Sequence, residues 1–98
     1  EVHLNLAGML HGGVIATLAD VACGLAYRTR IATGTMAVTS SLTVTYLAGG
    51  GAGVVTARGR VLKRGGRFGY AEADVVDATG TLLARASATF SVLPDRAP

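Results

Sequence analysis

Asp20 is the residue in this chain best placed to do chemistry. It is the only carboxylate between Val2 and Ala71, and it sits inside the apolar run HGGVIATLADVACGLAYRTR. A carboxylate among apolar neighbours must find a partner, ionise with difficulty, or act as a base or nucleophile. Three other reactive or polar residues lie close in sequence: Asn5, His11 and Cys23. Asn5 stands among apolar neighbours ahead of Gly8 and reads equally as a turn former or as an amide with a task. Cys23 follows Asp20 by three residues, on roughly the same helical face. As the only cysteine it excludes an internal disulfide and a CxxC metal pair. With no local histidine to activate it, it reads as a small buried hydrophobe. No metal site is expected.

These residues need elements to hold them. Apolar positions Val14, Ile15, Leu18, Ala22, Leu25 and Ala26 fit one face of a helix opened by Gly12-Gly13 and running to about Arg30. Thr33-Gly34 reads as its stop. Val2, Leu4 and Leu6 alternate with polar residues, as in a strand end or an extended lead-in. Residues 35–47, TMAVTSSLTVTYL, form a long strand; simple alternation puts Leu42, Val44 and Tyr46 on one face and Thr39, Ser41, Thr43 and Thr45 on the other. Residues 48–53, AGGGAG, are a flexible break without the Gly-Lys-Ser/Thr of a phosphate loop. Asp77-Ala78-Thr79-Gly80 is a turn, and Thr81 to Leu93 a last strand ended by Pro94.

Residues 54–64 and 67–77 make a hairpin whose register the sequence can decide. A two-residue Gly65-Gly66 turn would mix apolar and charged residues on both faces. A three-residue loop, Gly65-Gly66-Arg67, sets Arg58 opposite Asp74 and Arg60 opposite Glu72, with Val55, Ala57, Gly59 and Val61 aligned with Val75, Ala73 and Ala71. The second register gives one apolar face and one ion-paired face, and the glycines suit a bulged hairpin. Each exposed pair is worth under about 1 kcal/mol, so the pairs set register more than stability. One helix followed by antiparallel strands makes an α+β fold with the helix buried on one sheet face. Small residues in Ala57-Arg58-Gly59 and Ala71-Glu72-Ala73 let that sheet approach closely.

The 98 residues are expected to form one domain. Half the chain is apolar and 15% is charged, a thin polar cover that favours self-association. The net charge of +3, almost all from arginine, lacks the clustering and stacking aromatics of a nucleic-acid surface. No apolar run reaches membrane-spanning length and no signal peptide opens the chain, so a cytoplasmic protein without membrane contact is expected.

Asn5, Gly8, His11-Gly12-Gly13, Leu18 and Asp20 together spell N-x2-G-x2-HGG-x4-LxD, and the strand from Thr39 to Leu47 follows. This pattern resembles the hotdog-fold thioesterases of the PaaI type, and the resemblance runs nearly to Val92. It implies a curved antiparallel sheet wrapped around a long central helix. It implies hydrolysis of an acyl-CoA thioester in a site shared between two subunits of a homodimer or homotetramer, with coenzyme A as part of the substrate and no further cofactor. Asp20 would be general base or nucleophile, and the amides of Gly12 or Gly13 would hold the thioester oxygen as charge develops. By the same resemblance Asn5 orients the thioester or the water and Thr39 positions the water. His11 either hydrogen-bonds in the site or buttresses its loop. Lys63, Arg64, Gly65 and Arg67 at the hairpin tip would meet CoA phosphates rather than form a plain solvated turn, with Tyr46 lining the pantetheine path. Arg28 and Arg30 read as charges that favour the helix C-terminus.

The resemblance points to aryl or phenylacetyl thioesters, as in phenylacetate degradation, with medium-chain acyl groups open. The family usually has one more N-terminal segment, which we expect to be missing here, and a proline where this chain has Ala48-Gly49-Gly50. Residues 94–98 are expected to be a frayed tail. Two alternatives share the fold. A hotdog hydratase resembles a different pattern, with an acid just before the histidine, whereas here the acid lies nine residues after His11. The other is a non-catalytic acyl-CoA-binding protein, for which a retained acid in an apolar helix would be a needless cost.

Overall fold

The computed structural model describes residues 2–5, 12–49 and 53–94. Strand β1 (Val2–Asn5) leads to helix α1 (Gly12–Arg28), then to β2 (Thr35–Tyr46), β3 (Val54–Arg64), β4 (Phe68–Val76) and β5 (Leu82–Pro94). The strands form one antiparallel sheet in the order β1-β3-β4-β5-β2. Helix α1 lies on one face of this sheet, as the α+β reading expects. Its buried stripe is Ile15, Leu18, Ala19, Ala22, Cys23 and Tyr27, which meets Val55 and Ala57 of β3, Ala71, Ala73 and Val75 of β4, and the inner residues of β5.

Many of the sheet's contact residues are alanines, so the helix backbone comes very close. At Gly59 of β3 a Cβ atom would overlap the Ala22 carbonyl oxygen and lie 2.6 Å from its carbon. At Gly69 of β4 a Cβ would overlap the Tyr27 phenol, so this glycine makes room for the ring end. Tyr27 stacks on Phe90, with ring centroids 4.9 Å apart and planes 10° from parallel. The Tyr27 hydroxyl is fully buried and has no hydrogen-bond partner among the described residues. A buried hydroxyl without a partner carries its desolvation cost uncompensated. Tyr27→Phe is therefore expected to leave thermal stability unchanged or raise it by about 1 kcal/mol, read from a melting curve; a clear loss would mean the hydroxyl is bonded.

The buried helical stripe is rotated from the expected one. Leu25 is 49% exposed and Val21 41%, while Ala19 and Tyr27 are inside. The sheet's small residues seat the 15-18-19-22-23-27 line, and this turns Leu25 to the flank. The helix also ends at Arg28 rather than Arg30, with the Arg30 amide closing a turn on the Tyr27 carbonyl at 2.9 Å. Gly34 takes its left-handed φ of 86° at the entry to β2, not as the helix stop. The Asp77–Gly80 turn is as expected, with the Asp77 carboxylate accepting the amides of Thr79 and Thr81.

In the β3–β4 hairpin Arg58 pairs with Asp74, Arg60 with Glu72 and Val61 with Ala71, the register inferred from the three-residue loop. Near the tip the pairing differs. A bulge at Leu62 shifts it by one, so Arg64 pairs with Gly69 and four residues rather than three lie between them. On the outer face Arg60 bridges both Glu72, at 2.6 Å, and Asp74, at 3.1 Å, and Arg85 of β5 reaches Asp74 at 2.8 Å. Arg85 and then Arg60 hold the Asp74 carboxyl below the usual carboxylate range.

Candidate active site

Asp20 lies half-buried at mid-helix, at the edge of the packed stripe, and its carboxylate Oδ1 accepts a hydrogen bond from the Thr39 hydroxyl at 3.0 Å. This contact depends on a break in β2. Unbroken alternation would turn Thr39 outward with Ser41, Thr43 and Thr45. A β-bulge at Ser40 instead pairs Thr39 with Phe90 and Ser41 with Thr89. Thr35, Ala37 and Thr39 therefore share the helix-facing side with Leu42 and Val44, all half-buried. The Ser40 hydroxyl donates to the Thr89 carbonyl at 3.0 Å and helps hold the bulge. The bulge thus corrects the expected face of Thr39 and brings the one mid-sequence acid and a strand hydroxyl together.

Asp20 and Thr39 line a hollow of about 240 Å³ together with Val21, Gly24, Leu25, Arg28, Ala37 and Phe90. Such a space, one carboxylate and one hydroxyl against apolar walls, can seat an acyl group beside a base. Sequence reasoning missed Gly24 and Arg28 here. Their signal was the spacing of four and eight residues from Asp20, which sets all three in one line along a helix. Cys23 lies on the buried side, and its thiol is pushed up to about 11, first by burial and then by Asp20, so it stays protonated at neutral pH. A larger cleft of about 470 Å³, between Ala22, Ala26, Thr29, Ala57 and Gly59, is lined by no acid, histidine or cysteine among the described residues.

The remaining site candidates are spread along the fold. Gly12 and Gly13 open α1, as expected. They precede Asp20 by two helical turns, about 10–12 Å along the axis. Asn5 ends β1, paired with Val54, and its side chain lies outside the described residues, as does His11. At the hairpin, Lys63 and Arg64 border a groove with Arg30, Val61 and Leu62, and the Arg64 guanidinium donates to the Arg30 carbonyl at 2.7 Å. That bond satisfies a carbonyl left free where the helix ends. Gly65 packs on the Phe68 backbone, and the Arg67 carbonyl accepts the Val92 amide. Arg64, Gly69, Phe90 and Thr39 stand in one row across the sheet, so Arg64 is about 14 Å from Thr39. Tyr46 pairs with Ala84 at the other end of β2, about 23 Å from that row. A single copy therefore does not bring Tyr46 together with the basic hairpin. Among the described residues no cluster of His, Cys, Asp and Glu could hold a metal. No helix among them is long and apolar enough to cross a membrane.

Residues 7–84 match the thioesterase superfamily. Among solved structures, the chain superposes on a Bacillus halodurans protein crystallised with CoA, with a TM-score of 0.88 and 28% identity over 93% of this chain and 69% of that one. A thioesterase of Haemophilus influenzae matches with a TM-score of 0.84 and 26% identity, over 93% of this chain and 64% of its own. A phenylacetic acid degradation-related protein of Ralstonia eutropha matches with a TM-score of 0.79 and 25% identity, over 90% and 66%. The chain thus spans about two thirds of the length of these neighbours. No curated protein matches it. With the helix wrapped by an antiparallel sheet and the match covering most of its length, the chain belongs to the thioesterase superfamily and has the hotdog fold.

Proposed function

We propose that the protein hydrolyses an acyl-CoA thioester to the free acid and CoA, with Asp20 at the centre of the reaction. The observation that carries this reading is the Asp20–Thr39 hydrogen bond in the lining of a hollow with Val21, Leu25, Ala37 and Phe90. As general base, Asp20 takes a proton from a water held by Thr39 while the water oxygen bonds to the thioester carbon. The tetrahedral oxyanion then collapses, the C–S bond breaks, and the CoA sulfur leaves with the proton. As nucleophile, Asp20 would attack the carbon itself, and the C–S bond would break with CoA leaving as the thiolate. Water would then open the resulting anhydride to the free acid and the Asp20 carboxylate, its released proton going to the thiolate. In line with the family pattern, Asn5 orients the thioester or the water.

An oxyanion donor must sit about 3 Å from the developing charge. Gly12 and Gly13 of the same copy are too far from Asp20 along the helix axis to serve the same carbonyl. Their amides fit the reaction when they come from a second copy, so the working unit is a homodimer or an assembly of dimers. The long edge strand β2 supports this. It presents exposed Met36, Val38 and Tyr46, and no strand covers its outer side among the described residues. The groove of Arg30, Lys63 and Arg64 supplies positive charge for CoA phosphates, with Arg67 beside it at the tip. The Bacillus halodurans neighbour crystallised with CoA supports the cofactor-bearing substrate, and the Ralstonia eutropha neighbour supports phenylacetyl among the acyl groups.

The test is release of free thiol from a panel of aryl, phenylacetyl and medium-chain acyl-CoAs. Release from at least one, by a protein that sediments as a dimer or larger, is the expected result. Binding of CoA thioesters without any release would overturn hydrolysis in favour of a non-catalytic acyl-CoA-binding protein.

A further inference from the structure

We infer that Arg28 selects acyl groups that end in a carboxylate, so that the preferred substrates are medium-length ω-carboxyacyl-CoA thioesters. The inference rests on the thioesterase reading above and names the substrate class of that same site. Asp20, Gly24 and Arg28 all line one hollow, with the acid and the arginine about two helical turns apart on α1. Their spacing of four residues stacks them in a single line on the helix surface. Gly24 leaves the middle of that line bare, since a Cβ there would meet nothing within 4 Å. The facing walls, Ala37 and Phe90, are apolar and carry no group that could bind the body of a polar acyl chain.

The Arg28 charge is unspent. Among the described residues Glu72 and Asp74 are taken by Arg60 and Arg85, and the Asp77 carboxylate accepts the Thr79 and Thr81 amides. No hydrogen bond or ion pair engages the Arg28 guanidinium there. A favourable interaction with the helix C-terminus accounts for a basic residue in the last turn. It does not account for that residue sharing a hollow with Asp20. Eight residues separate the two Cα positions by about 12 Å along the axis. Long helical side chains lean back toward the helix N-terminus, and an Arg28 stem that does so shortens the span to one that a medium-length chain can bridge. Methylenes then lie against Gly24, Ala37 and Phe90, and the terminal carboxylate accepts two parallel N–H bonds from the guanidinium.

The test compares suberyl-CoA with octanoyl-CoA, which have the same chain length and differ in the terminal group. In the parent protein kcat/KM is expected to favour suberyl-CoA. Arg28→Met should shift the suberyl-to-octanoyl ratio of kcat/KM by about 10- to 100-fold toward octanoyl, and Arg28→Lys should recover part of it. Equilibrium binding of both thioesters in an Asp20→Asn background reads the same preference without turnover. A purely structural role for Arg28 would lower both substrates together and leave the ratio in place. Turnover of octanoyl-CoA with a ratio unmoved by Arg28→Met overturns the selection and leaves the hydrolase reading standing. No turnover by the parent, with a binding ratio that still moves with Arg28, overturns the hydrolase reading and supports the selection.

Discussion

Gly59→Ala is expected to lower the melting temperature by about 12–24 °C, from a loss of about 3 kcal/mol or more. The added methyl would overlap the Ala22 carbonyl oxygen, lie 2.6 Å from the Ala22 carbon and 3.1 Å from the Cys23 nitrogen. All three are helix backbone atoms, which cannot swing aside as a side-chain end can. Relief requires α1 to lift off β3, and that opens the contact between Ala22, Cys23 and the alanines of the sheet. A domain of this size holds only about 5–15 kcal/mol in total, so the loss is a large share. Gly24→Ala is the matched control. Its methyl meets nothing, and alanine is the better helix former, so stability should rise by about 0.5–1 kcal/mol. Thermal unfolding followed by circular dichroism distinguishes the two; a shift of only a few degrees at Gly59 would mean the helix is not seated so closely.

The fold was legible where one physical requirement fixed many residues at once. The hairpin register is the clearest case: opposite charges at Arg60 and Glu72 and aligned apolar residues at Ala57 and Val75 admit one pairing, and that pairing is observed. The helix was equally plain, but its rotation was not. Leu25 is more apolar than Ala19, yet Ala19 is inside, because close approach to an alanine-lined sheet rewards small residues over large ones. The bulges at Ser40 and Leu62 left no mark that alternation could detect, since each adds a residue without a glycine or proline to announce it. Hence Thr39 could be tied to Asp20 by resemblance and not by periodicity. Arg28 was read only against the helix end, because a guanidinium eight residues from an acid gains meaning once the hollow joins them.

The second large effect is expected at the acid itself. Asp20→Asn should slow thiol release by about 10²–10⁴-fold, the usual worth of a positioned general base. Asparagine keeps the size of the side chain and leaves a carbonyl oxygen to accept the Thr39 hydroxyl, so the geometry that the bulge sets up should survive. What it loses is the capacity to take a proton from water or to attack a thioester. Since Asp20 is only half-buried and outside the packed stripe, the substitution should leave the fold and its assembly intact. The most direct measurement is therefore the rate of thiol release from the best acyl-CoA of the panel, by the parent and Asp20→Asn proteins side by side, with melting curve and sedimentation recorded for each. The account predicts a collapse of the rate with stability and assembly unchanged; equal rates from the two proteins would contradict it.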